Sequence, residues 1–248
     1  MTPSTPQDAF QTVEAVAATR RLEEQAAKRL AGARTRLILG RDAKAAFFAT
    51  LLLRLTPHVD WKVGTMATDG RALAYSPAFV AGLAPDELLG VLAHEVMHNA
   101  LAHHCRRGGR DPAKWNVACD LAVNPLLANS GFTLPKGRLM PGEGRYVALA
   151  AGKSAEEYYA ALPTDAAEAA VGDGTGDPGG CGQVREPAQA APADARRREA
   201  EWRVAVAQAE QAARGKGDLP AGLGRAVEDV LHPAADWRTV LREFVLCV

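Results

Sequence analysis

The 248-residue chain lacks a surplus of charge: 29 Lys and Arg balance 29 Asp and Glu. A nucleic-acid-binding protein needs a basic excess to neutralise phosphates, so that class is disfavoured. The arginines clustered within 195–216 read instead as a solvated helix face. Aromatic residues are scarce, at 6%, while alanine makes up roughly a fifth of the chain. Alanine is the strongest helix former and a poor strand former, so helix is expected to dominate. Cysteine is sparse and unpatterned. Cys105, Cys119, Cys181 and Cys247 form no CxxC pair, which argues against a disulfide framework and for a reducing cytoplasm. Long apolar runs are missing too. The most apolar stretch, Ala45 to Leu53, lies between Lys44 and Arg54 and is about half the ~20 residues a membrane span needs. Pro3, Pro6, Asp8 and Glu14 leave no room for the apolar core of a signal peptide. Neither a GxSxG nucleophile motif nor a Gly-rich phosphate loop occurs.

What is present is a succession of helical patterns. Ala9 to about Leu37 places Leu22, Ala26, Leu30 and Leu37 near one face. Ala43 to about Leu55, with Phe47, Phe48, Leu51 and Leu52, is too apolar for a solvated helix and reads as core, stopped by Pro57. Residues 60–79 alternate on either side of Thr68-Asp69-Gly70, a hairpin signal. The pattern then predicts one helix over 85–107, with Asp86 and Glu87 in its first turn and Arg106 and Arg107 in its last. Asp111-Pro112 is an N-cap and first helical position for another, running to about Asn124, where Pro125 ends or kinks it. Residues 134–147 read as loop. Ser154 to Leu162 is a short helix with a capping box, Ser154 to Glu157. Residues 164–196, rich in Gly, Pro, Ala and Asp, read as a disordered linker. Helices are expected again at 195–215, 221–231 and 234–245.

The chemistry-bearing motif is His94-Glu95-Val96-Met97-His98, an HExxH in mid-helix. Residues four apart sit about 40° apart round a helix, so both imidazoles can face one cation. Glu95 lies one step round and can reach a water on that ion, which zinc makes acidic near pH 7. Glu95 is therefore the expected general base. The rest of the segment is apolar (Leu88, Leu89, Val91, Leu92, Val96), and buried imidazoles and a carboxylate there need a partner.

A third ligand is expected from the following helix. Asn116, Asp120 and Asn124 recur at i, i+4, i+8 as a polar stripe on an otherwise apolar segment. Asp120 is its only carboxylate and the candidate ligand; the alternative is that it orients His94 or His98 through the free ring N–H. Asn116 and Asn124 are candidates for that second role. Cys119 lies off the stripe and reads as a buried structural thiol. On an unbroken helix His103 falls on the face opposite His94, and His104 falls well off the metal-facing line, so both read as surface or helix-end histidines. His58 and His232 sit beside prolines in expected loops. Tyr146, Tyr158 and Tyr159 are the hydroxyls considered as oxyanion donors, with none singled out.

The run from Asp69-Gly70 through HEVMH, then His103-His104, Arg106-Arg107-Gly108-Gly109-Arg110-Asp111-Pro112, and Trp115-Asn116-Val117-Ala118 to Asp120-Leu121-Ala122-Val123-Asn124-Pro125-Leu126-Leu127 carries a resemblance. It resembles a bacterial putative-metallopeptidase family whose members often carry a C-terminal von Willebrand factor A-like domain. The similarity covers about residues 20–162 and resumes at Trp202, Leu219-Pro220-Ala221-Gly222-Leu223 and Trp237-Arg238. It implies a zincin-like fold, one zinc ion at His94 and His98 with Asp120, Glu95 as base, and association with MoxR-type AAA ATPases. The sequence stops at Leu246-Cys247-Val248, so the A-like domain is expected to be encoded separately or cut away.

The resulting expectation is an α+β fold. A mostly helical zincin-like metallopeptidase domain with a small β-sheet spans 9–163, a linker 164–196, and a C-terminal helical segment 197–248. The expected function is zinc-dependent hydrolysis of a peptide or protein substrate in the cytoplasm, with no nucleic acid or membrane involved. The strand near Arg71–Tyr75 is expected to align the peptide by strand addition. The alternative is a catalytically silent, zinc-stabilised scaffold or adaptor acting with an AAA ATPase.

Overall fold

The computed structural model describes residues 6–163, 183–184 and 192–232. Helix α1 spans Pro6–Ile38 and α2 spans Ala43–Leu52, the latter capped by the Asp42 carboxylate, which accepts from the Ala45 N–H at 2.7 Å. Strands β1 (Thr56–Val59), β2 (Met66–Thr68) and β3 (Ala72–Tyr75) follow, then α3 (Pro77–Gly82), α4 (Pro85–Ala100), α5 (His103–Arg106) and α6 (Pro112–Asn129). A 3-10 turn at Gly144–Tyr146 precedes α7 (Ala155–Ala161), β4 (Gln183–Val184), α8 (Pro192–Arg214) and α9 (Ala221–Leu231). The fold is α+β and mostly helical. Among the described residues, no helix is long and apolar enough to cross a membrane.

The expected hairpin is β2–β3, antiparallel, with Met66 opposite Tyr75 and Thr68 opposite Leu73. Its turn is held by Asp69, whose carboxylate accepts from the Arg71 and Ala72 N–H groups, while Gly70 takes φ +90, where a side chain is disfavoured. The strands are shorter than the alternation predicts, since 61–65 lie outside β2. Strand β1 was not expected. It pairs in parallel with β3, placing His58 opposite Ala74 rather than in a loop. Pro57 is compatible with it because β1 is an edge strand and needs no donor on its outer side. The order is β1-β3-β2-β4. Strand β3 is thus paired on both sides, which corrects the expectation that a peptide adds to it.

Helix α4 runs through the centre, buried along Leu88, Val91, Leu92, Ala93, Val96 and Met97, and packs against α1, α2, α6, α8 and β2. Its first turn is tied by Glu87, which accepts from the Ala84 N–H at 2.9 Å. Gly90 lets the chain 132–134 approach the helix backbone: a Cβ there would lie 2.0 Å from the Thr133 carbonyl oxygen. Backbone cannot yield as a side-chain tip can. Gly90→Ala is therefore expected to cost about 1–3 kcal/mol of stability or more, read as a lower urea midpoint. An unchanged midpoint would contradict this packing.

The single helix predicted over 85–107 is broken. Helix α4 stops at Ala100, and Ala102 adopts a left-handed φ of 54 before α5 begins. That conformation costs an alanine about 1–2 kcal/mol, and neither Gly nor Pro marks it. Tertiary bonds hold it instead. The Arg106 guanidinium donates to the Leu101 carbonyl at 2.9 Å and pairs with Glu156, and the Trp115 indole N–H donates to the His103 carbonyl at 3.2 Å.

Helix α6 begins as expected, with Asp111 accepting from Lys114 N–H at 2.8 Å and Pro112 in its first turn. It runs past Asn124 and through Pro125 to Asn129. Buried Val123 and Leu127 flank the proline in the core, and this packing outweighs the lost backbone bond. The Ser154–Glu157 capping box on α7 forms as expected. Within 164–196 the described residues are β4, parallel to β2, and the start of α8. Trp202, Ala205, Val206 and Ala209 of α8 join the same core as α1, α2 and α4, and the Trp202 indole donates to the Gly70 carbonyl at 2.9 Å. The helix expected at 234–245 lies outside the described residues.

Candidate metal centre

Helix α4 presents His94 and His98 one turn apart, and α6 presents Asp120 and Asn124 one turn apart toward them. The two imidazole Nε2 atoms stand 2.6 Å from each other, and Asp120 Oδ1 lies 3.3 Å from both. The three donor atoms thus face a common point, and His94, His98 and Asp120 are 0, 0 and 2% exposed. Asp120 Oδ1 accepts no hydrogen bond despite its two close neighbours. An enclosed carboxylate oxygen faced by two imidazole nitrogens at 3.3 Å suits a cation placed between the three. Two ligand atoms held about 2.0–2.1 Å from a tetrahedral ion are themselves about 3.3 Å apart, which matches the Asp120 separations, whereas the two imidazole nitrogens at 2.6 Å must move apart to share an ion. The donor set therefore fits a divalent ion.

The electrostatics agree. Burial alone would raise the Asp120 carboxyl, but its contacts with His94 and His98 outweigh burial and hold it below the usual value. Burial, and then the neighbouring His94, push His98 down to about 4, against the pull of Asp120. A neutral imidazole and an ionised carboxylate are the forms that ligate a metal.

The surrounding groups fix the rings. Asn124 Oδ1 accepts from His94 Nδ1 at 2.9 Å, and its amide nitrogen donates to the Leu139 carbonyl at 3.0 Å. This leaves His94 Nε2 free for an ion. Asn116, one turn before Asp120, is only half-buried. Glu95 is fully enclosed beside His94. Asn99, not anticipated from sequence, donates to the Glu95 carbonyl at 2.8 Å and to Thr68 Oγ1 at 2.9 Å, and so locks α4 to β2.

Residues 25–247 match the sequence profile of a family described as a putative metallopeptidase domain. The chain belongs to that family. No curated protein and no solved structure matches it.

Two histidines of this metallopeptidase domain are not where an unbroken helix would put them. His103 and His104 are buried, at 1 and 2% exposed, which corrects their reading as surface or helix-end residues. The turn at Ala102 swings His103 back beside the centre, with its Nδ1 3.0 Å from His98 Nδ1. His104 packs against the Gly70 backbone and the Trp202 ring. Burial, then Arg198, push His104 to about 4, and burial holds His103 well below its usual range. Cys119 is fully buried, as expected of a structural thiol, and burial raises its pKa; yet it stands with His98 and His103 as a second group of donors, all within 4.8 Å of one another. Of the tyrosines, Tyr158 donates to the Ala150 carbonyl and the Tyr159 hydroxyl accepts from the Asp111 N–H. Tyr146 is buried, raised by that burial and, after an opposing effect of Arg145, by the Asp120 charge. A cavity of about 740 Å³ lies among α5, α6, α7, α8 and α9, lined by Arg106, Lys153, Arg203 and Arg225, and reaches His103.

Proposed function

We propose that this domain hydrolyses peptide bonds in a peptide or protein substrate, using one zinc ion held by His94, His98 and Asp120, with Glu95 as general base. The observation that supports this most is the convergence of two imidazole nitrogens and one unsatisfied carboxylate oxygen beside the glutamate of an HExxH. Nitrogen-rich donor sets of this kind favour zinc over magnesium or calcium. Bound there, zinc supplies Lewis-acid polarisation of a carbonyl and lowers the pKa of a water. The chain's own residues do the rest. Asn124 holds the His94 ring in the tautomer that offers Nε2. Glu95 takes the proton of the attacking water and returns it to the leaving amine. The sparse, unpatterned cysteines support a reducing compartment, the cytoplasm.

A second reading has one observation in its favour, the near-complete enclosure of the cluster. In it the ion is structural and the chain serves as a scaffold for an AAA ATPase. The zinc-loaded protein, incubated with a peptide library and read by mass spectrometry, separates the two. Glu95→Gln is expected to keep its zinc and to lose turnover by about 10²–10⁴-fold. Equal inertness of wild type and variant, with zinc retained in both, would favour the scaffold.

A further inference from the structure

Each imidazole that faces the candidate centre has an acceptor behind it, and the two acceptors differ. His94 Nδ1 meets an amide oxygen, that of Asn124, at 2.9 Å. His98 Nδ1 meets a second imidazole, His103 Nδ1, at 3.0 Å. An imidazole that offers Nε2 to an ion keeps its proton on Nδ1. That proton then requires an unprotonated acceptor, so His103 must carry its own proton on Nε2. We propose that His103 is a positioning residue that accepts the Nδ1 proton of His98 and thereby fixes the tautomer and angle of that ring toward the cation. The inference deepens the reading of His94, His98 and Asp120 as a metal centre and rests on it.

The local fold holds His103 to this task. Its backbone carbonyl accepts from the Trp115 indole at 3.2 Å, and the His103 and Trp115 rings meet edge to face at 6.1 Å. Arg106, three residues on, is tied to Leu101 and to Glu156. The left-handed Ala102 is the single positive-φ residue other than glycine among the described residues, and it is the joint that turns His103 inward. Strained joints of this kind persist where the surroundings over-determine them, commonly at functional sites. A continuous helix would carry His103 away from His98 and leave the buried Nδ1 without this acceptor.

The test uses the full chain, stripped and titrated with Zn²⁺ against a chromophoric chelator, with Co²⁺ absorption as a second readout. Wild type is expected to bind one equivalent. His103→Phe keeps an aromatic ring but removes the acceptor, and is expected to weaken zinc binding about 10–100-fold and shift the Co²⁺ bands. His103→Gln, whose Oε1 can accept, is expected to recover most of the affinity and a near-native spectrum. Should His103→Phe fail to fold, His103→Leu against His103→Gln carries the same comparison. Affinity and spectrum unmoved in the Phe or Leu variant would overturn the proposal, as would equal losses in Gln and Leu. A second zinc equivalent lost in Cys119→Ser would also overturn it, since His98, His103 and Cys119 would then be a ligand set. Failure of the wild type to bind zinc would instead overturn the metal centre itself.

Discussion

Zinc is expected to stabilise the wild-type protein, and His98→Ala is expected to abolish that stabilisation. A ligand that binds only the folded state adds RT ln(1 + [L]/Kd), about 4.1 kcal/mol at a thousandfold excess over Kd. His98 stands 2.6 Å from His94 Nε2 and 3.3 Å from Asp120 Oδ1, at the middle of the cluster. Removing its ring leaves one imidazole and one carboxylate, too few to hold the ion at the same concentration. His94→Ala should behave likewise, and it also strands the Asn124 amide oxygen that its Nδ1 contacts. Thermal unfolding with zinc and with a chelator reads the effect. The wild type should show a clear upward shift in Tm on adding zinc and both variants almost none. An equal shift in all three would place the ion elsewhere.

The second large effect is on zinc affinity rather than on the metal-free fold. Asp120 Oδ1 is an enclosed oxygen whose near polar neighbours include His94 and His98 Nε2, both at 3.3 Å, and their contact favours its ionised form. Without a cation that charge is supported by the two imidazoles alone; with one it is a ligand. Asp120→Asn removes the charge and keeps the shape. The metal-free variant is therefore expected to lose only the modest support that His94 and His98 give the charge, while its zinc affinity falls steeply. Groups that merely orient a ligand lose about 10–100-fold when removed, so a direct ligand should lose more than about 100-fold. Urea unfolding of the metal-free proteins and chelator competition of the loaded ones give the two halves. A metal-free Asp120→Asn that is much less stable, with unchanged zinc affinity, would assign Asp120 a purely structural role.

Much of the candidate centre's geometry was legible in the sequence because it depends on helix periodicity. His94 and His98 share a face by their spacing of four, and Asp120 and Asn124 do so on the next helix, whatever else the fold does. Local chemistry also marked the Asp111-Pro112 start and the Ser154 capping box. The features that escaped depend on distant contacts. The break at Ala102 has no Gly or Pro, and rests on Arg106 and on Trp115 of the next helix. Extending the helix through it rotated His103 and His104 out of the core. Strand β1 was hidden by Pro57, which argues against a central strand but not against an edge. The pairing of β3 on both sides follows from β1 and could not be seen without it. Periodicity says nothing of the enclosure of the cluster, which α4, α6 and their neighbours produce together.

X-ray absorption at the zinc edge of the stoichiometrically loaded protein tests the central claim most directly. Convergence of His94, His98 and Asp120 on one ion predicts a first shell of nitrogen and oxygen only, about 2.0–2.2 Å from zinc, with the outer-shell scattering of two imidazoles. A sulfur at about 2.3 Å, which Cys119 would supply, or no bound zinc at all, would contradict it.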